Sequence, residues 1–345
     1  MANARVAIIG LGRMGSTIDD EVVGYPSVAL PYSIAATCAA SERLELVAGC
    51  DLLAEKRQAF AERWGVSALY QDYRDMLRQE QPDLVAICTR GENHAELCVG
   101  VAEYRPGAIY CEKAIACSLT EADAVRAAVG DIPFSTGVLR RYDPRYQVVR
   151  DAIADGAIGT PAAVVHYAET NLLHGHSHSI DTMLYLLGDP QVARVRGELQ
   201  PRTLQPEGDR LAQDPNSTYQ LETVNGVRGV TIPAGAWEFE VIGSGGTIRT
   251  MNNGVSRLYR KRVKITPRFS SIDPHPLPEP EQRSATLVVM EELAAAAQEG
   301  GSTREGVGHA HHVTEACLAV AESHRQGGRW LDLPLVTRSL YVYHV

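Results

Sequence analysis

Three glycines, Gly10, Gly12 and Gly15, follow the apolar run 6–9 in the stretch RVAIIGLGRMGS. At this spacing the first permits a tight turn off a strand, the second lets a diphosphate approach bare backbone, and the third lets a following helix lie close on that strand. Phosphates would meet free N–H groups at the positive end of the helix that must start here. The pattern predicts a dinucleotide site; its plain reading is a glycine turn between strand and helix. Asp51 ends a second apolar run, LELVAGC. A carboxylate at the end of the second strand would accept hydrogen bonds from adenosine ribose hydroxyls and repel a 2′-phosphate. Its other reading is an N-cap for a helix over 52–64. His174, His176 and His178 alternate in HGHSHSID. In an extended segment all three imidazoles would share one side, with Asp181 as an oxygen ligand, which is the metal reading of this run; no metal is expected there. A second cluster, His309, His311 and His312, starts a helix and reads as surface or interface.

The elements that must position these groups are legible as two domains, 1–140 and 141–345, because 345 residues exceed one ordinary core. In the first, apolar runs at 44–49, 83–89, 108–111 and 132–138 alternate with helical stretches at 52–64, 73–79, 94–104 and 120–129. That alternation predicts a doubly wound parallel sheet, whose ligands sit at the carboxyl ends of the strands. Gly10 to Gly15, Asp51, Thr89, Glu112 and Lys113 would all face that crevice. Gly15 and Asp51 are 36 residues apart, against ~20 in the usual fingerprint, so 19–31 reads as an inserted loop. The second domain changes character. Strand-like runs at 162–170, 191–200, 217–223, 228–232, 237–242, 247–251 and 255–265 are joined by NG, SGG and NNG turns, which predicts an α+β domain with a large, mostly antiparallel open sheet. Residues 273–280 read as an extended connector, and 287–298 and 309–325 as helices, the last of which, with the tail, has the option of packing back on the first domain.

Composition narrows the partners. The chain is 45% hydrophobic and 22% charged, with formal net charge −9 and no Lys/Arg stripe. This disfavours nucleic acid and anionic membrane and suits a small molecule. The N-terminal residues enter a strand too soon for a signal peptide, and no apolar run reaches the ~18 residues of a membrane span, so a cytoplasmic protein is expected. Seven cysteines without a CxxC pair read as buried reduced thiols.

In this order and spacing the stretches VAIIGLGRMGS, LVAGCD, PDLVAICTRGENHAEL, YCEKAIACSLTEAD, RRYDPRYQVVRDAIADGAIGTP, HSHSIDTMLYLLGDP and EACLAVAESHRQGGRWLDLPL resemble the Gfo/Idh/MocA family of sugar and polyol oxidoreductases over nearly the whole chain. The resemblance implies an N-terminal dinucleotide-binding (Rossmann) domain and a C-terminal domain whose sheet forms a homodimer or homotetramer. It also implies NAD as cofactor, with NADP possible, held by Gly10, Leu11, Gly12, Arg13, Met14, Gly15, Asp51, Thr89, His94, Glu112 and Lys113. Lys113 matches the lysine of the EKP motif, and His178 and Asp181 match the histidine and aspartate of HxxD. Three positions depart from the family pattern: Ala114 replaces the EKP proline, His174 stands where inositol-dehydrogenase-like members carry an aspartate, and Leu139 replaces the asparagine of NRRFDP. The first withdraws any assumption of cis or turn-fixing geometry, and the other two bear on substrate identity.

The chemistry these residues allow is hydride transfer from a secondary alcohol. A histidine titrating near neutrality takes the hydroxyl proton, and an ammonium beside the same oxygen stabilises the developing alkoxide. That makes His178 the base, Lys113 its electrostatic partner and Asp181 the orienter, with Arg141, His174 and His178 facing substrate. Arg140 and Arg141 have two readings: binding a substrate carboxylate or the nicotinamide edge, or pairing with Asp143 and Glu169. Lys113 and His178 come from different domains, so the reaction is expected at the cleft between them. The expected activity is NAD-dependent oxidation of a sugar, polyol or related cyclic hydroxyl compound. An NADPH-dependent keto-sugar reductase and a non-catalytic cofactor-sensing regulator on the same fold are the alternatives.

Overall fold

The computed structural model describes residues 3–344 and divides them into two compact units. The first holds the residues up to Leu139 together with Arg283–Thr314 and residues 343–344; the second holds Arg140–Gln282 and Glu315–Val342.

In the first unit, β1 (Ala4–Ile9), β2 (Leu44–Cys50), β3 (Leu69–Tyr70), β4 (Leu84–Ile87), β5 (Ala108–Cys111) and β6 (Phe134–Thr136) form one parallel sheet in the order β3-β2-β1-β4-β5-β6. Strands β4 and β5 are buried at every position, which is why they read as unbroken apolar runs: helices cover both faces of such a sheet. The order reverses between β1 and β4, the switch point outside whose carboxyl ends ligands bind in this architecture.

Helices α1 (Asp19–Val22), α2 (Ile34–Ala40), α3 (Ala54–Trp64), α4 (Tyr73–Glu80), α5 (His94–Ala102) and α6 (Leu119–Val129) connect the strands. Their ends follow side-chain chemistry. Ser33 caps α2 through Ala36 N, and Ser118 with Glu121 forms a reciprocal capping box on α6, each satisfying amide donors that a helix start leaves open. The helix expected straight after the glycine turn is corrected. A five-residue π turn, Arg13–Thr17, and the single-turn α1 come first, and the longer helix waits until Ile34. The intervening loop is tied down where Asp19 accepts from Tyr32 N and Ser33 N at 2.8 and 3.0 Å.

The second unit contains α7 (Pro144–Ala154), β7 (Pro161–Tyr167), α8 (His176–Leu186), β8 (Val192–Gln200), β9 (Arg210–Leu211), β10 (Asn216–Thr223), β11 (Arg228–Ile232), β12 (Glu238–Gly243), β13 (Gly246–Met251), β14 (Ser256–Lys264) and β15 (Ser270–His275). After α9 (Ala285–Glu299) and the first part of α10 (Gly306–Arg325), which belong to the first unit, β16 (Leu331–Asp332) and β17 (Tyr341–Val342) complete it. Nine strands form a sheet in the order β15-β14-β13-β12-β7-β11-β10-β8-β16, antiparallel at every pairing except β7 with β11. Along β10, Ser217, Tyr219, Leu221 and Thr223 are buried while their neighbours are half-buried, the alternation of a sheet with one packed face. At the NNG turn Asn252, Asn253 and Gly254 all have φ between +47° and +86°, the left-handed region that Asn and Gly tolerate.

Two sequence expectations are corrected here. Residues 273–275 belong to the edge strand Ser270–His275, so the connector expected at 273–280 is in its first three residues a strand. The run HSHSID is helical from His176, not extended, so its histidines do not line one side of a strand.

Candidate active site

In the first unit the glycine loop fits its proposed task. Gly10 has φ +92°, and a Cβ there would lie 2.7 Å from the Cys88 carbonyl carbon; a Cβ at Gly15 would lie 2.1 Å from the Gly10 oxygen. Both positions therefore require glycine for close packing of loop on sheet. Gly12 differs: its Cβ position meets only Lys56 Nζ, at 3.6 Å, leaving the backbone open to a ligand. Asp51, at the end of β2, reaches across to this loop. Its Oδ2 accepts from Leu11 N at 3.0 Å and its Oδ1 from Leu53 N at 3.0 Å. The second bond is an Asx-type turn leading into α3, whose N-cap is Leu53 and not Asp51. Lys56 Nζ lies 4.0 Å from Asp51 Oδ2, and Arg57 donates to the Asp51 and Leu52 carbonyls at 2.7 and 3.1 Å. Arg13 is turned outward and paired with Glu21 at 2.8 Å. Half-buried Met14 and Thr89 complete the loop and the β4 end.

Glu112 and Lys113 follow β5. Glu112 is buried, its Oε1 accepts from the Tyr110 hydroxyl at 2.6 Å, and its carboxylate occupies the space a side chain at Gly137 would need. Lys113 is half-buried, and the Lys113–Ala114 peptide is cis although alanine replaces the proline. His94, expected among the groups lining the cofactor, is corrected to a supporting place. It is 1% exposed, with Nδ1 2.7 Å from the Ala114 oxygen and Nε2 3.1 Å from the Thr89 oxygen. Burial depresses its pKa to about 4, so it is a neutral imidazole with one N–H, best spent on the nearer carbonyl. His94 thus fixes the turns that carry Thr89 and Lys113. His311 and His312 are buried rather than at the surface, His311 Nε2 lying 2.8 Å from Asp123.

In the second unit the three alternating histidines separate. His174 is exposed, and its amide donates to Asp214 at 2.7 Å. His176 is buried between Ser179 Oγ (2.9 Å) and the Ser217 carbonyl (2.8 Å), and burial lowers its pKa to about 4. His178 is half-buried on the first turn of α8, its ring edge-on to Trp237 with centroids 6.3 Å apart. Among the described residues no group of three or more His, Cys, Asp or Glu is placed to hold a metal. Asp181, one helical turn after His178, is fully buried, and its Oδ1 accepts from Arg141 Nε and Nη2 at 3.0 and 2.6 Å.

Arg141 is the main correction to the substrate set. It is 1% exposed and also holds Asp189 at 2.9 Å, so its guanidinium is occupied by two carboxylates inside the unit and is not presented to a ligand. Its partners are Asp181 and Asp189 rather than Asp143 or Glu169. Arg140 donates to Asn253 Oδ1 at 2.9 and 2.7 Å and lies 4.6 Å over the Trp237 ring.

Three residues near these groups went unread in the sequence. Trp237, half-buried with φ +54°, holds a bulky side chain in a conformation that only surrounding structure can enforce. His166 is buried against Phe239 and Trp237 at 4.7 and 5.0 Å, and neither of its ring nitrogens has a hydrogen-bond partner. Lys56 stands beside Asp51. A lone lysine on a helix or a histidine in a strand carries no local signal of such placement; only the fold supplies it.

Residues 4–131 match the model of the Gfo/Idh/MocA oxidoreductase family, described as an NAD-binding Rossmann fold. The chain is 26% identical to a myo-inositol 2-dehydrogenase of Thermotoga maritima over 46% of its length and 42% of that enzyme's. It is 38% identical to a D-apiose dehydrogenase of Paraburkholderia graminis over 34% and 32%. The matched stretch thus spans less than half the length of either relative. A levoglucosan dehydrogenase solved with NADH and L-sorbose shares the fold, with TM-score 0.76, 19% identity and coverage of 97% of this chain and 100% of that one. The glycine loop, Asp51 and strands β1 to β5 all lie inside residues 4–131, the stretch that is similar to the Gfo/Idh/MocA oxidoreductase family, NAD-binding Rossmann fold.

Proposed function

We propose that this chain is an NAD-dependent dehydrogenase that moves hydride between nicotinamide and a secondary hydroxyl or ketone of a sugar, polyol or related cyclic compound. The observation that carries the reading is the Asp51 carboxylate, bonded to Leu11 N within the glycine loop at the end of β2. A carboxylate at that strand end supports the reading because it would accept ribose hydroxyls and oppose a 2′-phosphate. Bound NAD would supply the hydride acceptor; the rest is the work of this chain's side chains. The Lys113 ammonium stabilises negative charge growing on the substrate oxygen and lowers the hydroxyl's pKa. A ring nitrogen of His178 takes the hydroxyl proton. Buried Asp181, clamped by Arg141, acts as a positioning residue at the start of α8. Trp237, edge-on to His178, supplies half-buried aromatic surface beside the proposed base. The names of the two curated relatives, an inositol and an apiose dehydrogenase, support the substrate class.

A panel of sugars and polyols assayed for formation of NADH and NADPH tests the proposal. Turnover with NAD and at least one polyol or sugar is expected; NADH binding without turnover on any member would favour a cofactor-sensing role. A second reading, an NADPH-dependent keto-sugar reductase, is favoured by Lys56 and Arg57, two cations beside Asp51. The same panel run in the reductive direction separates it. We further propose a cytoplasmic homodimer or homotetramer assembled through the nine-stranded sheet. No helix among the described residues is long and apolar enough to cross a membrane, and light scattering of the purified protein reads the oligomer directly.

A further inference from the structure

After β17, Tyr343 and His344 belong to the first unit, and His344 lies against the residue proposed above to stabilise the alkoxide. His344 is 2% exposed. Its Nε2 lies 3.0 Å from the Lys113 carbonyl oxygen and 3.3 Å from the Ala114 nitrogen. Its own carbonyl accepts from Glu92 N at 3.0 Å, and its ring fills the space beside Gly91, where a Cβ would fall 2.0 Å from the ring's Cδ2. One nitrogen cannot serve both backbone groups at once. With hydrogen on Nε2 it donates to the Lys113 oxygen; with hydrogen on Nδ1 it accepts from the Ala114 amide. Either tautomer holds the same peptide group, while His94 holds the next carbonyl, that of Ala114.

We propose that His344 is a positioning residue for Lys113: its buried imidazole fixes the Lys113–Ala114 peptide and thereby the stem from which the ammonium reaches the reacting oxygen. The inference rests on the dehydrogenase reading, in which Lys113 is catalytic. A lysine stem has four rotatable bonds, so its head is no better placed than the backbone that carries it, and a misplacement of about 1 Å at a reacting group costs on the order of 100-fold in rate. The family-type proline that would restrict this backbone is absent at Ala114, and His344 is an external device at the same peptide, 231 residues away in sequence.

The test uses His344→Leu, His344→Gln and Gly91→Ala in the full chain, with Lys113→Ala as reference. Leucine keeps bulk without a hydrogen bond, glutamine restores an amide near the Nε2 position, and Gly91→Ala pushes the imidazole aside while leaving it present. Expected results are a kcat lowered roughly 10- to 100-fold in His344→Leu and Gly91→Ala with substrate KM and NADH affinity little changed, and a return to within a few-fold of the parent in His344→Gln. A second readout needs no turnover. The chain has only four lysines, Lys56, Lys113, Lys261 and Lys264, so reductive methylation with isotope-labelled formaldehyde gives a countable NMR spectrum in which Lys113→Ala identifies one signal. That signal should move toward the solvent-exposed position in His344→Leu and stay in place in His344→Gln. Parent-like kcat and an unmoved Lys113 signal in His344→Leu would overturn the proposal, as would a loss that glutamine does not repair. Full turnover by Lys113→Ala would instead overturn the catalytic reading of Lys113, and the NMR comparison would then judge the contact by itself.

Discussion

Asp51 spends one carboxylate oxygen on the glycine loop and the other on the turn into α3, and as the proposed partner of the ribose hydroxyls it is also the residue on which the proposed cofactor choice rests. NAD is expected to bind at least about tenfold more tightly than NADP, and Asp51→Ser to erode that preference. Titration of NADH and NADPH by fluorescence measures both, and equal affinities in the unmodified protein would contradict the assignment. Lys56 sharpens the test, because an ammonium 4.0 Å from Asp51 becomes the dominant local charge once the carboxylate is gone. Arg141 belongs to the same scale with the opposite role. Removing one member of a buried ion pair leaves an uncompensated charge, so Arg141→Gln should lower unfolding stability by about 3–5 kcal/mol, read by denaturant titration. A variant of parental stability whose substrate KM alone rises would return Arg141 to the substrate site.

The elements show what the sequence carries and what it conceals. Strands β1, β4 and β5 were legible because buried faces leave an apolar run, and α6 as the helical stretch expected at 120–129, although the capping box of Ser118 and Glu121 that starts it went unread. The capping box makes its own prediction: Ser118→Ala should cost about 1 kcal/mol, seen as a lowered Tm, since it strips a cap from the Glu121 amide. The start of α8 was misread because HSHS has the period of a strand and no capping side chain. Gly175 precedes the helix instead, packed so closely that a Cβ there would meet Thr170 Oγ1 at 1.8 Å. In the candidate site the glycines, Asp51 and Lys113 could be read from motif and strand ends. The occupation of Arg141 by Asp181 and Asp189, the ring contacts of Trp237 and the reach of His344 to Lys113 could not. Each depends on a contact across tens to hundreds of residues that no local period encodes.

At the scale of the whole molecule, stability should depend on pH through histidines buried in the neutral form. His94 and His176 have pKa values lowered from 6.5 to about 4, mainly by burial. Between those values the unfolded chain binds more protons than the folded one, so their contribution is intact above about pH 6.5 and declines as pH falls toward 4, by up to about 3 kcal/mol each. Unfolding free energies across that window should rise with pH, and His176→Asn, if folded, should flatten the curve; a flat curve in the parent would contradict the buried neutral state. The proposed reaction names Lys113 and His178 as its two working side chains. The most direct measurement is therefore steady-state kinetics of Lys113→Ala, His178→Ala and the double variant on a substrate found by the panel, beside NADH titration. Each single variant should lose ~10²- to 10⁴-fold in kcat with NADH affinity nearly intact in His178→Ala, and the double should lose less than the product, because both serve one proton transfer. Full activity in either variant would remove that residue from the mechanism, and full activity in both would leave a dinucleotide-binding fold without the proposed chemistry.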